Sequence, residues 1–279
     1  MSGTNLGTLV TYNPWAVGPT AVLDEISARF AELRIHHVPV VDSERQIIGI
    51  ISDTDLLRAR QLNRLVLAGS SGADTGEAPR VFARDIMAKK IVSIPTTGSV
   101  RDALGLLLKR HIHMLPVVDG DRLVGVISSR DFLREFSYGE MPGSRDPVSQ
   151  LIGGKPPEAT SPDTPLDEAL LAMQENGLNC LVVGQGDCPI GIVSQRDIVR
   201  ERCRLEERDE YHPDKKLGGG LLQITRNSPP IRSGQRLCEA ASTMIDHALP
   251  AVTVVNQSNR LLGMITEDDL LRVMYDALA

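Results

Sequence analysis

The sequence predicts an α/β fold of the α+β type: four copies of a strand-helix-strand-strand-helix unit, paired into two modules. Three observations predict it. First, one signature occurs four times: Gly49-Ile50-Ile51-Ser52-Asp53-Thr54-Asp55, Gly125-Val126-Ile127-Ser128-Ser129-Arg130-Asp131, Gly191-Ile192-Val193-Ser194-Gln195-Arg196-Asp197 and Gly263-Met264-Ile265-Thr266-Glu267-Asp268-Asp269. Two apolar residues and an Arg follow every copy, at Arg58, Arg134, Arg200 and Arg272. Repetition at this length scale marks an array of structural units. Second, each signature closes a pair of short β-rich runs joined by a polar turn, the pattern of a hairpin. Third, an apolar stripe at helical spacing precedes each hairpin. A unit of about 50–60 residues buries too little surface to stand alone, so the repeats are expected to pair.

In the first repeat, about residues 9–60, a Gly- and Pro-punctuated opening reaches Pro19. Val22, Leu23, Ile26, Phe30 and Leu33 then form one helix face, with Asp24, Glu25 and Arg29 opposite. Val38-Pro39-Val40-Val41, the turn Asp42 to Arg45, and Ile47 to Ile51 make the hairpin. Ser52 or Asp53 stands where a helix N-cap belongs, ahead of Leu56-Leu57. Residues 60–83 read as a linker rich in Gly, Ser and Ala around Gly69 to Pro79. The second repeat, about 84–136, carries Val100, Ala103, Leu104, Leu107 and Leu108 on its helix face and the hairpin Leu115 to Val118 and Leu123 to Ile127. Gly139, Pro142 and Gly143 place a domain boundary there, dividing the chain into modules 1–139 and 140–279. The third repeat, about 148–202, uses Leu166, Ala169, Leu170 and Met173, then Cys180 to Val183 and Ile190 to Val193. Glu201 to Lys216 is densely charged and reads as a solvated helix broken by Gly218-Gly219-Gly220. The fourth, about 221–274, uses Leu237, Ala240, Ala241, Met244 and Ile245, then Val252 to Val255 and Leu261 to Ile265.

Composition narrows the function. Aromatics are 3% of 279 residues, so the core must be aliphatic. A net charge of -6 argues against a broad nucleic-acid or membrane surface. Cys180, Cys188, Cys203 and Cys238 show neither zinc-type nor disulfide-type spacing, and a cytoplasmic location is the expectation. No apolar run approaches the roughly 20 residues of a membrane helix. Met1 to Leu9 lacks the pattern of a signal peptide. There is no Walker-type phosphate loop and no Gly-x-Ser-x-Gly elbow. His36-His37 and His111-Ile112-His113 have no partners at metal-ligand spacing, so no metal is expected.

The signature itself has two readings at each position. A strand Gly permits close backbone approach of a ligand. Ser52, Ser128, Ser194 and Thr266 are either simple N-caps or part of an anion site made by helix N–H groups. Asp55, Asp131, Asp197 and Asp269 are either helix-surface partners of the Arg three residues on, or acceptors for the hydroxyls of a ligand. The variable positions divide by charge. A cation beside a helix N-terminus favours a phosphate and a carboxylate opposes it. Phosphate-competent clefts are therefore expected at Arg130 with Ser128 and Asp131, and at Arg196 with Ser194 and Asp197; clefts beside Asp53 and Glu267 should exclude phosphate.

The signature, with Val-Pro-Val-Val-Asp at 38–42 and Leu-Pro-Val-Val-Asp at 115–119, resembles the cystathionine-β-synthase (CBS) domain family over nearly the whole chain. Two departures stand out: Leu181 and Thr253 occupy the places of Pro39 and Pro116. The resemblance implies two Bateman-type modules without a catalytic domain. It further implies a regulatory protein, not an enzyme, that binds AMP, ADP, ATP or S-adenosylmethionine between paired repeats. The residues it points to are Ser52, Asp55, His37, Pro39, Met114, Pro116, Ser128, Arg130, Asp131, Ser194, Arg196, Asp197, Thr266 and Asp269. A regulated protein partner is implied, with a homodimer or intramolecular pairing of modules. The alternative is an adaptor whose clefts are vestigial.

Overall fold

The computed structural model describes residues 5–60, 80–153, 156–207 and 220–278. Most of the expected linker at 60–83, and the end of the charged stretch beyond residue 207, lie outside the described residues.

All four repeats have one plan. The first helices are Leu23–Leu33, Val100–Arg110, Leu166–Glu175 and Leu237–Asp246. Their buried residues are those of the apolar stripes: Leu23, Ile26 and Phe30; Val100, Ala103, Leu104 and Leu107; Leu166, Ala169 and Met173; Leu237, Ala240, Ala241 and Met244. Burial at every third or fourth residue is what places these segments as helices. The antiparallel hairpins are His37–Val41 with Ile47–Ser52, Met114–Asp119 with Arg122–Ser128, Cys180–Gln185 with Cys188–Ser194, and Ala251–Val255 with Leu261–Thr266. Each shifts register once, just before its turn: at Val40/Val41, Val117/Val118, Val183/Gly184 and Val254/Val255. Parallel pairing to the first hairpin strand precedes every first helix, as the short strands Ile94–Pro95 and Ile231–Arg232 and as single bridges at Val17 and Thr160. Parallel neighbours need a crossover, and the first helix of each repeat supplies it.

The second helices follow directly on the signature strands at residues 53–60, Ser129–Ser137, Gln195–Glu207 and Glu267–Ala277. Among the described residues the buried aromatics are Phe30, Phe132 and Phe136, so aliphatic side chains fill the rest of the core.

The chain forms two compact units, one of Asn5–Leu106 with Met114–Ser128, the other of Leu107–His113 with Ser129 onward. In the first, the hairpins of repeats one and two join at their turns: Ile47 N–H donates to Asp121 O at 3.2 Å and Leu123 N–H to Arg45 O at 3.0 Å. In the second, Leu261 N–H donates to Asp187 O at 2.8 Å, linking repeats three and four in the same way. Helix Ser129–Ser137 also packs there against Leu237–Asp246 and Glu267–Ala277, burying Phe132, Leu133 and Phe136.

Candidate functional site

The signature glycines are not openings for a ligand. Each is where the leading segment of the paired repeat crosses the signature strand. A Cβ on Gly49 would lie 2.4 Å from Met87 Sδ, on Gly125 2.3 Å from Val10 Cγ1, on Gly191 2.2 Å from Arg226 O, and on Gly263 2.6 Å from Ile152 Cγ2. Backbone pairing accompanies the crossings at Ile50 with Ala88, Val126 with Thr11, and Ile192 with Arg226. The exchange is reciprocal: repeat two crosses repeat one and is crossed by it, and repeats three and four do the same. The expectation of a ligand at the glycine is thus corrected. Steric room for a partner strand explains the residue at all four positions.

The Ser/Thr and Asp of the signature form one device. Ser52 N–H and Oγ–H both donate to Asp55 Oδ2, at 2.9 and 2.6 Å, and Asp55 N–H donates back to Ser52 Oγ at 3.2 Å. Ser194 with Asp197 and Thr266 with Asp269 repeat it, with hydroxyl-to-carboxylate distances of 2.5 and 2.6 Å. This is a capping box, in which the Asp takes part as fully as the hydroxyl. The first helical N–H is also spent: Asp53, Ser129, Gln195 and Glu267 N–H donate to His36, His113, Asn179 and Pro250 O at 3.0 to 3.1 Å. The helix N-terminus therefore offers an anion fewer donors than the sequence suggests.

What distinguishes the clefts is the second Asp oxygen. Asp55 and Asp269 are half-buried, and their Oδ1 atoms make no hydrogen bond among the described residues. Asp131 Oδ1 lies 3.2 Å from Arg134 Nη1, the helix-surface pair foreseen as one of its two readings. Asp197 Oδ1 accepts from Arg226 Nε at 3.0 Å and Nη2 at 2.5 Å, while Arg226 Nη1 donates to Ala248 O at 3.0 Å. Both oxygens of Asp197 are committed.

His37 and Met114 begin their strands directly across from Ser52 and Ser128, and Cys180 and Ala251 hold the same place opposite Ser194 and Thr266. Pro39 faces Ile50 and Pro116 faces Val126. In the third repeat the residue in that register is Val182, opposite Ile192, rather than Leu181. The pairing of Val183 with Gly191 fixes this, and apolar residues on both sides had hidden the one-residue offset.

Two of the charges expected to separate the clefts, those of Arg130 and Glu267, meet at one place. Arg130 and Glu267 face each other, Nε to Oε1 at 3.9 Å, and Ser129 Oγ–H donates to Glu267 Oε2 at 3.2 Å. The variable positions of repeats two and four meet where helix Ser129–Ser137 packs on the fourth repeat, so the cation and the anion neutralise one another. Burial pushes the Glu267 carboxyl above its ordinary range, against the pull of Arg130, His113, the Ser129 hydroxyl and Arg196. His113 Nδ1 is buried nearby without a hydrogen-bond partner. In the first repeat His36 Nδ1 lies 3.1 Å from Asp53 Oδ2. Cys180 is no nucleophile: burial, with Glu267 and Asp197 adding to it, pushes its thiol up to about 12.

Sequence reasoning missed Arg226, and it weighed His36 and His113 only as metal ligands. The histidines share a place one residue before the first hairpin strand, a coincidence visible once the repeats are aligned. Arg226 carries no such signal, since the other leading segments hold Thr11, Ala88 and Gly153 there.

The CBS domain profile matches residues 6–62, 83–138, 148–203 and 222–276. The chain belongs to the CBS domain family. Protein MJ1225 of Methanocaldococcus jannaschii is 21% identical over 92% of this chain and 93% of its own length. Its crystal structure superposes with a TM-score of 0.72 over 96% of this chain and 99% of that one. A conserved protein from Pyrococcus horikoshii matches with a TM-score of 0.64 over 97% of this chain and 100% of its own, at 19% identity. Both share the fold over nearly the whole chain. The 33.4 kDa protein of the ribosomal RNA operon of Thermofilum pendens is 26% identical over 70% of this chain, which spans 63% of that relative's length. Inosine-5'-monophosphate dehydrogenase of Bifidobacterium longum is 30% identical over 45% of this chain, but only 21% of the enzyme is covered.

Proposed function

We propose that this CBS protein is a non-catalytic regulatory sensor that binds adenosine compounds between paired repeats and passes their presence to a protein partner. The observation that carries the reading is the state of Asp55 and Asp269. Each carboxylate is held rigid through one oxygen by its capping box, and the other oxygen is unengaged among the described residues. A fixed, half-buried acceptor at a strand-to-helix corner suits the two hydroxyls of a ribose, and CBS membership supplies the ligand class: AMP, ADP, ATP or S-adenosylmethionine.

In this reading the modules are residues 1–139 and 140–279. His37, Pro39, Ser52 and Asp55 are the candidate residues of the first repeat, and Met114, Pro116, Ser128, Arg130 and Asp131 those of the second. Ser194, Arg196 and Asp197 are those of the third, and Thr266 and Asp269 those of the fourth. The protein is cytoplasmic and works as an internally paired chain or a homodimer. No helix among the described residues is long and apolar enough to cross a membrane. Among the described residues no group of three or more His, Cys, Asp or Glu is arranged to hold a metal.

Isothermal titration of the full chain with AMP, ATP and S-adenosylmethionine tests the reading. Heat and a thermal shift with at least one of them are expected. Silence with all three favours the second reading, an adaptor with vestigial clefts, for which the fully committed Asp197 already speaks.

A further inference from the structure

The four leading segments cross the signature strands in equivalent places, yet they carry different side chains there. Thr11 pairs with Val126, Ala88 with Ile50 and Arg226 with Ile192, in each case five residues before the Asp. At the fourth crossing Ile152 abuts Gly263, and Gly153 comes next. Three of the four residues are short. The fourth is an arginine, and it spans the gap to Asp197.

The geometry of that contact resembles a bound diol. Two N–H groups on one edge of the planar guanidinium, Nε and Nη2, converge on Asp197 Oδ1 at 3.0 and 2.5 Å. A ribose would offer two O–H donors of similar spacing to the same atom. The remaining edge is tied to Ala248 O at 3.0 Å, and the Asp197 side chain is only 8% exposed. A planar, permanently charged donor fixed at both ends is a stronger competitor for a carboxylate than a neutral diol arriving from water.

We propose that Arg226 is an internal occupant of the third repeat's cleft. Its guanidinium takes the acceptor a ribose would need, so this cleft is shut by the protein's own chain while Asp55 and Asp269 stay open. The inference rests on the reading of the signature Asp as a ribose acceptor. It adds that the leading segment of the paired repeat decides whether each acceptor is available.

The test is calorimetric titration of the full chain with AMP, comparing wild type with Arg226→Ala. One additional equivalent of AMP bound per chain is expected in the variant, and it should vanish again in Arg226→Ala/Asp197→Ala. Equal stoichiometry in wild type and Arg226→Ala overturns the inference. If wild type takes no AMP but the variant takes one equivalent, the proposed function of the intact chain fails and the inference stands. If neither takes any, both fall. Arg226→Thr, which supplies the residue found at Thr11, is the substitute should Arg226→Ala not fold. Loss of the circular-dichroism spectrum in both variants would make the pair a structural brace and overturn the inference.

Discussion

Replacing Gly191 by alanine should destabilise the second compact unit by about 2–6 kcal/mol. The added Cβ would stand 2.2 Å from Arg226 O, 2.8 Å from Thr225 Cγ2 and 3.0 Å from Arg226 C. The nearest atom is backbone, so no side chain can swing aside. Restoring ordinary contact requires the leading segment to retreat by roughly 1 Å, a displacement in the range where cores charge about 1–3 kcal/mol for overpacking. That retreat also breaks the bridge in which Ile192 N–H donates to Arg226 O at 3.0 Å and Arg226 N–H to Ile192 O at 2.8 Å. Each such bond contributes about 0.5–1.5 kcal/mol net. Gly49→Ala should cost less, about 1–3 kcal/mol, because its Cβ meets side-chain atoms of Met87, Sδ at 2.4 Å and Cβ at 2.9 Å, rather than backbone N, C or O. Gly234→Ala meets nothing within 4 Å and should stay within about 0.5 kcal/mol of wild type. Urea unfolding followed by far-UV circular dichroism gives the comparison. The single tryptophan, Trp15, packs on the first-repeat core, so its fluorescence should respond to Gly49→Ala and scarcely to Gly191→Ala. A Gly191→Ala protein as stable as Gly234→Ala would refute the crossing-strand account of the signature glycine.

Asp269→Ala removes the carboxylate that accepts from Thr266 N–H and Oγ–H, and should lower unfolding stability by about 0.5–2 kcal/mol; an unchanged urea midpoint would show that the box contributes nothing. Glu267→Gln should be more stable than wild type at neutral pH, because burial raises the Glu267 carboxyl above its unfolded value. A group raised in the folded state binds its proton more tightly there. Its stabilising contribution is therefore present at low pH and is lost as pH rises through the folded value, so the gap between the two proteins should close on acidification through that window. A Glu267→Gln protein that melts below wild type at neutral pH would mean that pairing with Arg130 outweighs burial. With an aromatic disulfide reagent on the native protein at neutral pH, exposed Cys188 should react fast and Cys180, held as a thiol, should not; a fast phase that survives Cys188→Ser/Cys238→Ser but is lost on adding Cys180→Ser would contradict this.

The fold was legible in the sequence because local and global signals agree. Leu166, Ala169 and Met173 are apolar at helical spacing and are buried on a helix. Gly191 to Ser194 reads as a strand leading into a cap and is one. The site was less legible, for three separable reasons. Arg130 and Glu267 lie 137 positions apart, and their pairing depends on how helix Ser129–Ser137 packs on the fourth repeat, which no local pattern encodes. The third-repeat register was read one residue off at Leu181, because the run Cys180 to Val183 is apolar on both faces and period-two alternation gives no purchase. Arg226 sits in a leading segment whose counterparts, Thr11, Ala88 and Gly153, share no residue type with it, so alignment of repeats does not mark it.

These gaps bear on what a signature means. Gly-h-h-Ser/Thr-x-x-Asp has a use in the fold itself: the glycine admits the paired repeat's leading segment at all four positions, and the hydroxyl and carboxylate cap the helix in the first, third and fourth repeats. Selection for folding alone would keep all of them, including at Asp197, whose two oxygens are both occupied within the protein. The presence of the motif therefore says that a repeat is built, not that its cleft is open. Residues outside the motif reach two of the acceptors, Arg226 at Asp197 and Arg134 at Asp131, and leave one oxygen of Asp55 and of Asp269 without a hydrogen bond among the described residues. A chain of identical signatures can in this way carry unequal sites, and the inequality is written in the positions that vary.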